Sequence, residues 1–183
     1  MTTRIRIYLF LLFTVCLSLS CLAAEPTRNV GTPYSAQEYL TRPRNQTFVC
    51  NVGYTITECR KQTAIVQKTV AQYRTDDLGN WTWILVRAED WKDLMLRLRL
   101  NPESPAFTAV DVHETFLEES LIRPKPERAK ELMYAFGISL DQLLDLAVTH
   151  ELGHAICHGG TEFQAERVGR RLRDGIFSSC TEK

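Results

Sequence analysis

The chain has 183 residues, enough for one domain with an extension, and 44% of them are hydrophobic, enough for an ordinary core. Lysine and arginine number 22, and aspartate and glutamate also number 22. That balance lacks the basic excess of a nucleic-acid binder and the acidic run of a disordered tail, so no nucleic-acid partner is expected.

The N-terminal stretch "MTTRIRIYLFLLFTVCLSLSCLAAEP" places Arg4 and Arg6 before an apolar run from Ile7 to about Leu19, then small residues to Ala24. This order predicts a secretory signal peptide over residues 1–24, cut after Ala23 or Ala24. The run is short for a membrane span, and none is expected once the leader is removed. Lipid attachment at Cys21 is the less favoured alternative, because Ser18 stands where lipoprotein signals usually carry leucine. The expected location is secreted or periplasmic.

Export leaves Cys50, Cys59, Cys157 and Cys180, which an oxidising compartment would join as two disulfides. Three pairings are possible, and proximity favours Cys50–Cys59 and Cys157–Cys180. The spacings of 9, 98 and 23 residues contain no paired zinc knuckle.

Residues 25–54 read as a proline-bearing N-terminal arm with a helical turn near Ala36–Leu40, and residues 55–183 as the folded domain. Thr55 and Glu58 have the spacing of a capping box. Cys59, Thr63, Val66, Val70 and Tyr73 then share one helical face until "DDLGN" interrupts it. "WTWILVR" is aromatic and branched and predicts a strand. "EDWKDLMLRLRL" predicts a short helix ended by Asn101-Pro102. Two extended segments follow, about 107–112 and 115–122, and "HETFLEESLI" is the candidate sheet edge for holding an extended peptide. Pro126 opens a helix that stops near Gly137. Ser139 and Gln142 open the longest helix, from Leu140 to about Cys157, which Gly159-Gly160 ends. A last helix runs from about Thr161 to Asp174. The order of elements indicates an α+β fold.

Chemistry concentrates in "AVTHELGHAICHGGTEFQAE", residues 147–166. On a helix, His150 and His154 lie about 40° apart around the axis and one turn apart along it, so both imidazoles reach one cation. Glu151 points to the same side and can take a proton from water without being a ligand. These are the mechanics of the H-E-x-x-H zinc motif. Apart from the motif itself, "AVTHELGHAI" is uncharged, and Gly153 permits close helix packing.

A zinc hydrolase usually has three protein ligands and one open position. His158 continues the series, but it lies about 12 Å up the axis from His150. An H-E-x-x-H-x-x-G-x-x-H pattern would require glycine at 157 and histidine at 160, where Cys157 and Gly160 stand. Glu162 and Glu166 remain, on a helix that the two glycines can turn back toward the first. No oxyanion donor stands out among His113, Arg123 and Tyr134.

"HELGH" followed by "EFQAE" resembles the gluzincin peptidases, most closely the CAAX prenyl protease-like group. The resemblance covers the motif region alone. It implies a small zincin-like domain in which a short β-sheet packs on the H-E-x-x-H helix and the next helix carries a ligand. It implies one zinc ion per chain held by His150, His154 and Glu162. Glu151 would be the general base, and Glu166 would hydrogen-bond the first histidine. The short gap between His154 and Glu162 also allows the two glutamates to exchange roles. The membrane helices of the prenyl proteases are absent, so their membrane substrate is not implied. The expected activity is hydrolysis of a peptide or protein substrate. The rival expectation is a catalytically silent zinc protein, either a binding module or a closed structural site with His158 as fourth ligand.

Overall fold

The computed structural model describes residues 45–75, 78–176 and 180. The expected leader, Cys21 and the turn near Ala36–Leu40 lie outside these residues. The described elements run β1 (Gln46–Cys50), α1 (Ile56–Val70), β2 (Trp81–Val86), α2 (Ala88–Leu98), β3 (Ala106–Ala109), β4 (Glu114–Glu118), α3 (Pro126–Phe136), α4 (Leu140–Ile156) and α5 (Glu162–Arg173). This is an α+β fold around a four-stranded mixed sheet of order β1-β2-β4-β3. The pairs β1–β2 and β2–β4 are parallel, and β3 runs antiparallel to β4.

Two expectations need correction. The stretch expected to be an arm contains β1, whose Gln46–Cys50 pairs in register with Trp81–Leu85. Its Cys50 is joined to Cys59 of α1. The segment "HETFLEESLI" is not a sheet edge. Its strand, β4, lies between β2 and β3, and only Glu114–Glu118 is extended before a 3-10 turn. The edge beside α4 is β3.

Side-chain alternation gives the sheet two apolar faces. Trp81, Trp83 and Leu85 of β2 join Ala106, Leu117 and the helices α1, α4 and α5 in the main core. Ile84 and Val86 point the other way, to Trp91 and Met95 of α2 and the stacked pair Phe107–Phe116. Local signals set the helix ends. Thr55 and Glu58 form the capping box of α1, and Pro126 occupies the first turn of α3. Gly137 closes α3 at φ 66°, a left-handed conformation that suits glycine. The helical face anticipated for α1 is buried at Thr63, Val66 and Val70, but the helix stops at Val70. Arg128 of α3 reaches the buried Glu118 carboxylate at 2.9 Å, and Ser120 donates to the same carboxylate at 2.7 Å. That paired charge ties the first turn of α3 to the end of β4, and Phe136 of the last turn of α3 shares a cavity wall with Leu143 and Ala147 of the helix Leu140–Ile156.

Candidate metal centre

The helix α4 is apolar on several sides. Leu143, Leu144, Ala147, Val148, Leu152 and Ala155 are all buried. Such a helix is central rather than amphipathic. Its capping box is present, with Gln142 accepting from the Ser139 backbone N–H at 3.3 Å. The chain leaves α4 through Cys157, passes His158 and Gly159 in left-handed conformation at φ 49° and 79°, and enters α5. Thr161 caps α5 by accepting from the Gln164 N–H, and Gln164 accepts from the Thr161 N–H at 2.8 Å.

Two glycines let the helices meet closely. A Cβ on Gly153 would stand 2.2 Å from the Ala165 carbonyl oxygen, and one on Gly169 would stand 2.8 Å from that of Thr149. No side chain fits at either crossing, so the backbones themselves touch. This contact brings the first turn of α5 over the middle of α4.

Glu162, at the start of α5, faces both histidines. One carboxylate oxygen lies 3.0 Å from His150 Nε2, and the other lies 3.4 Å from His154 Nε2. His150, His154 and Glu162 each offer a ligand atom, all within 4.8 Å of one another, and the group could hold a metal ion. Glu166, one turn further along α5, lies on the other side of His150, 3.5 Å from Nδ1. A proton held on Nδ1 toward Glu166 leaves the Nε2 lone pair free for a cation. The geometry thus places Glu162 at the two Nε2 atoms and Glu166 behind the first ring.

Arg173 holds Glu166. Its guanidinium donates to Glu166 at 3.2 Å and to the buried Thr149 hydroxyl at 2.6 Å, while that hydroxyl donates to the Asp145 carbonyl at 2.8 Å. Nothing in the sequence reading pointed to Arg173. The available signal is its distance of seven residues from Glu166, two turns along one helical face.

Glu151 is buried at 4% exposure, and its Oε2 has no hydrogen-bond partner. Burial raises its pKa to about 7. Glu162 pushes in the same direction, whereas the Thr108 hydroxyl and His150 oppose it. Thr108 stands on β3 and shares a hydrogen bond of 2.9 Å with Thr115, which also accepts from Trp81 Nε1 at 3.0 Å. Burial also lowers the pKa of His154, which favours the neutral ring that a metal requires. A buried acid with an orphaned oxygen, beside two imidazoles and two more carboxylates, is an arrangement that a cation would satisfy. The donor set of two nitrogens and one oxygen fits a divalent ion of the zinc class.

The other expected residues lie elsewhere. His158 is exposed beyond the end of α4 and is not part of the ligand group. His113 is stacked on Trp81, Tyr134 is 92% exposed, and none of His113, Arg123 and Tyr134 lines the cavities beside the ligand group. Both disulfides have the expected pairing, and Cys157–Cys180 joins the end of α4 to the C-terminal segment. Two disulfides suggest an extracellular or otherwise oxidising environment. Among the described residues, no helix is long and apolar enough to cross a membrane.

No protein-family model, curated protein or solved structure matches the chain.

Proposed function

We propose that the chain is a zinc-dependent metallopeptidase, exported with residues 1–24 as its leader and acting outside the cell or in the periplasm. His150 and His154 hold the ion through Nε2 from successive turns of α4, and Glu162 completes the set from α5. When bound, zinc supplies Lewis acidity, which brings the pKa of a water ligand toward about 7. Glu151 accepts a proton from the attacking water at Oε2 and then delivers it to the departing amide nitrogen. Glu166, held by Arg173, keeps the His150 ring in the tautomer that binds metal. The β3 edge offers backbone groups on its unpaired side to an extended peptide passing the ligand group.

The supporting observation is the convergence of three ligand atoms within 4.8 Å beside a buried carboxylate oxygen that has no other partner. The H-E-x-x-H spacing alone does not require a third ligand group, and the carboxylate that α5 brings to both Nε2 atoms is what favours a metal over a bare helical motif.

The test is zinc content by elemental analysis together with hydrolysis of a mixed peptide pool. The parent protein should hold one zinc per chain and cleave peptides. Glu162→Ala should hold much less zinc. Glu151→Gln should keep zinc and lose hydrolysis. A parent that holds zinc but cleaves nothing would leave a metal-binding module and end the peptidase reading.

A further inference from the structure

The ligand group sits where two cavities meet. The larger, about 450 Å³, lies between α4, the last turn of α3 and the first turn of α5. Its walls include Leu121, Leu143 and Ala147, which are nearly inaccessible, together with Phe136 and Phe163. The smaller, about 290 Å³, runs toward Asn101, Thr108 and His154. Both are bordered by Ala106 of β3 and by His150, Glu151 and Glu162. The two cavities are therefore two arms of one cleft, with the ligand group at the junction. Beyond the residues they share, the larger arm is walled by apolar side chains apart from Glu166, whereas the smaller mixes Met95, Leu100 and Phe107 with Asn101, Thr108 and His154.

Phe163 immediately follows the ligand Glu162 and is 75% exposed, and Phe136 is 44% exposed. Each keeps an aromatic face toward water at the same opening. The larger arm has the size of a small-ligand site. Its space depends on two alanines, Ala106 on the strand and Ala147 on the facing helix, where larger side chains would occupy it. The charged groups that border it, Glu151, Glu162 and Glu166, belong to the ligand group or stand behind it. Away from those carboxylates the walls are apolar, so an acidic side chain would lose its hydration there without gaining a partner, and a basic one could pair only at the ligand-group end.

We propose that the larger cavity takes one bulky apolar side chain of the substrate, of the leucine or phenylalanine class, next to the bond being cleaved. The proposal rests on the peptidase reading and deepens it: this arm selects and the smaller arm does not. Burying such a side chain rather than a glycine should tighten binding by about tenfold to a hundredfold.

The test is calorimetric titration of the zinc-loaded protein with two peptide hydroxamates, identical except that one carries a benzyl side chain and the other is the glycine analogue. The benzyl compound should bind at least about tenfold more tightly. The ratio of the two affinities should fall toward one in Ala147→Leu, which fills the cavity. It should also fall in Phe136→Ala, a change at the exposed rim that keeps the interior of α4 intact. Equal affinities in the parent would overturn the proposal and leave the metal reading standing. A benzyl preference that survives both variants would put the selective contact elsewhere and also overturn it. Failure of both hydroxamates to bind the zinc-loaded protein would overturn the proposal and leave the metal reading standing, whereas a protein that cannot be loaded with zinc would remove both.

Discussion

The two faces of the sheet are built differently. The face toward α2 is closed by apolar contacts, with Val86, Trp91 and Met95 buried together against Ile84, Phe107 and Phe116, and the hydrogen bond from Trp91 Nε1 to the Ser104 carbonyl is a neutral one. The opposite face holds the larger core, but it also contains Glu151, the polar chain from Glu166 to Thr149, and a helix crossing so close that only glycine fits. The first arrangement contributes stability with little chemistry. The second accepts a buried ionisable group and backbone contact in order to gather side chains at one point. Stability and metal binding should therefore separate when each face is perturbed.

The largest effect should come from Trp91→Ala, which removes a buried ring and its hydrogen bond to the Ser104 carbonyl. A loss of about 3–5 kcal/mol is expected in chemical denaturation, with zinc affinity nearly unchanged while the protein remains folded. Gly153→Ala should do the reverse in kind. It forces α5 away from α4, costs about 1–3 kcal/mol, and abolishes zinc binding at concentrations that saturate the parent. Zinc affinity lost in Trp91→Ala but kept in Gly153→Ala would refute the division between faces.

The next effect is a pH dependence of the metal-free protein. The carboxyl of Glu151 is raised from 4.5 to about 7 in the folded chain. Its contribution to stability is thus fully present below pH 4.5 and is lost as pH rises through about 7. The change approaches about 3 kcal/mol. Denaturation of metal-free parent and Glu151→Gln across this window should show a steeper decline in the parent. Parallel curves would mean that burial does not hold the acid neutral.

Glu166→Ala should weaken zinc binding by about tenfold to a hundredfold, measured by competition with a chelator, because His150 loses its orienting carboxylate. An effect as large as that of Glu162→Ala would make Glu166 a ligand. The smallest change is expected for Thr161→Ala, which removes the cap of α5 and should cost about 1 kcal/mol of stability.

Features legible in the sequence were those fixed over short spans. His150, Glu151 and His154 share a helical side because helix geometry leaves no other choice, and Glu162 follows after a turn that two glycines permit. The caps at Thr55 and Ser139 are likewise local, as are the two disulfides in their expected pairing. Missed features depend on partners distant in the chain. Gln46–Cys50 does carry strand formers in Thr47, Phe48 and Val49, but it is only five residues long and follows a proline-bearing stretch, and its place in the sheet is set by pairing with Trp81–Leu85, far along the chain. The interior position of β4 follows from its two neighbours, neither of which can be inferred from "HETFLEESLI". The apolar cavity draws its walls from several elements, so no local pattern announces it. Arg173 looks like an ordinary basic residue in a last helical turn until Thr149 and Glu166 are seen beside it.

The short connection between α4 and α5 has a kinetic consequence. His150 and Glu162 are only twelve positions apart in the chain. Closing a loop of that length has a small entropic cost and proceeds in about 10–100 ns for an unfolded segment. The parallel pairing of β1 with β2 spans a much longer segment and must form more slowly. His150, His154 and Glu162 can therefore meet while the sheet is still unassembled, and on the proposed function an ion could join them at that stage. Metal capture would then act as an early local constraint on folding, and the rate of refolding from denaturant should rise with zinc concentration.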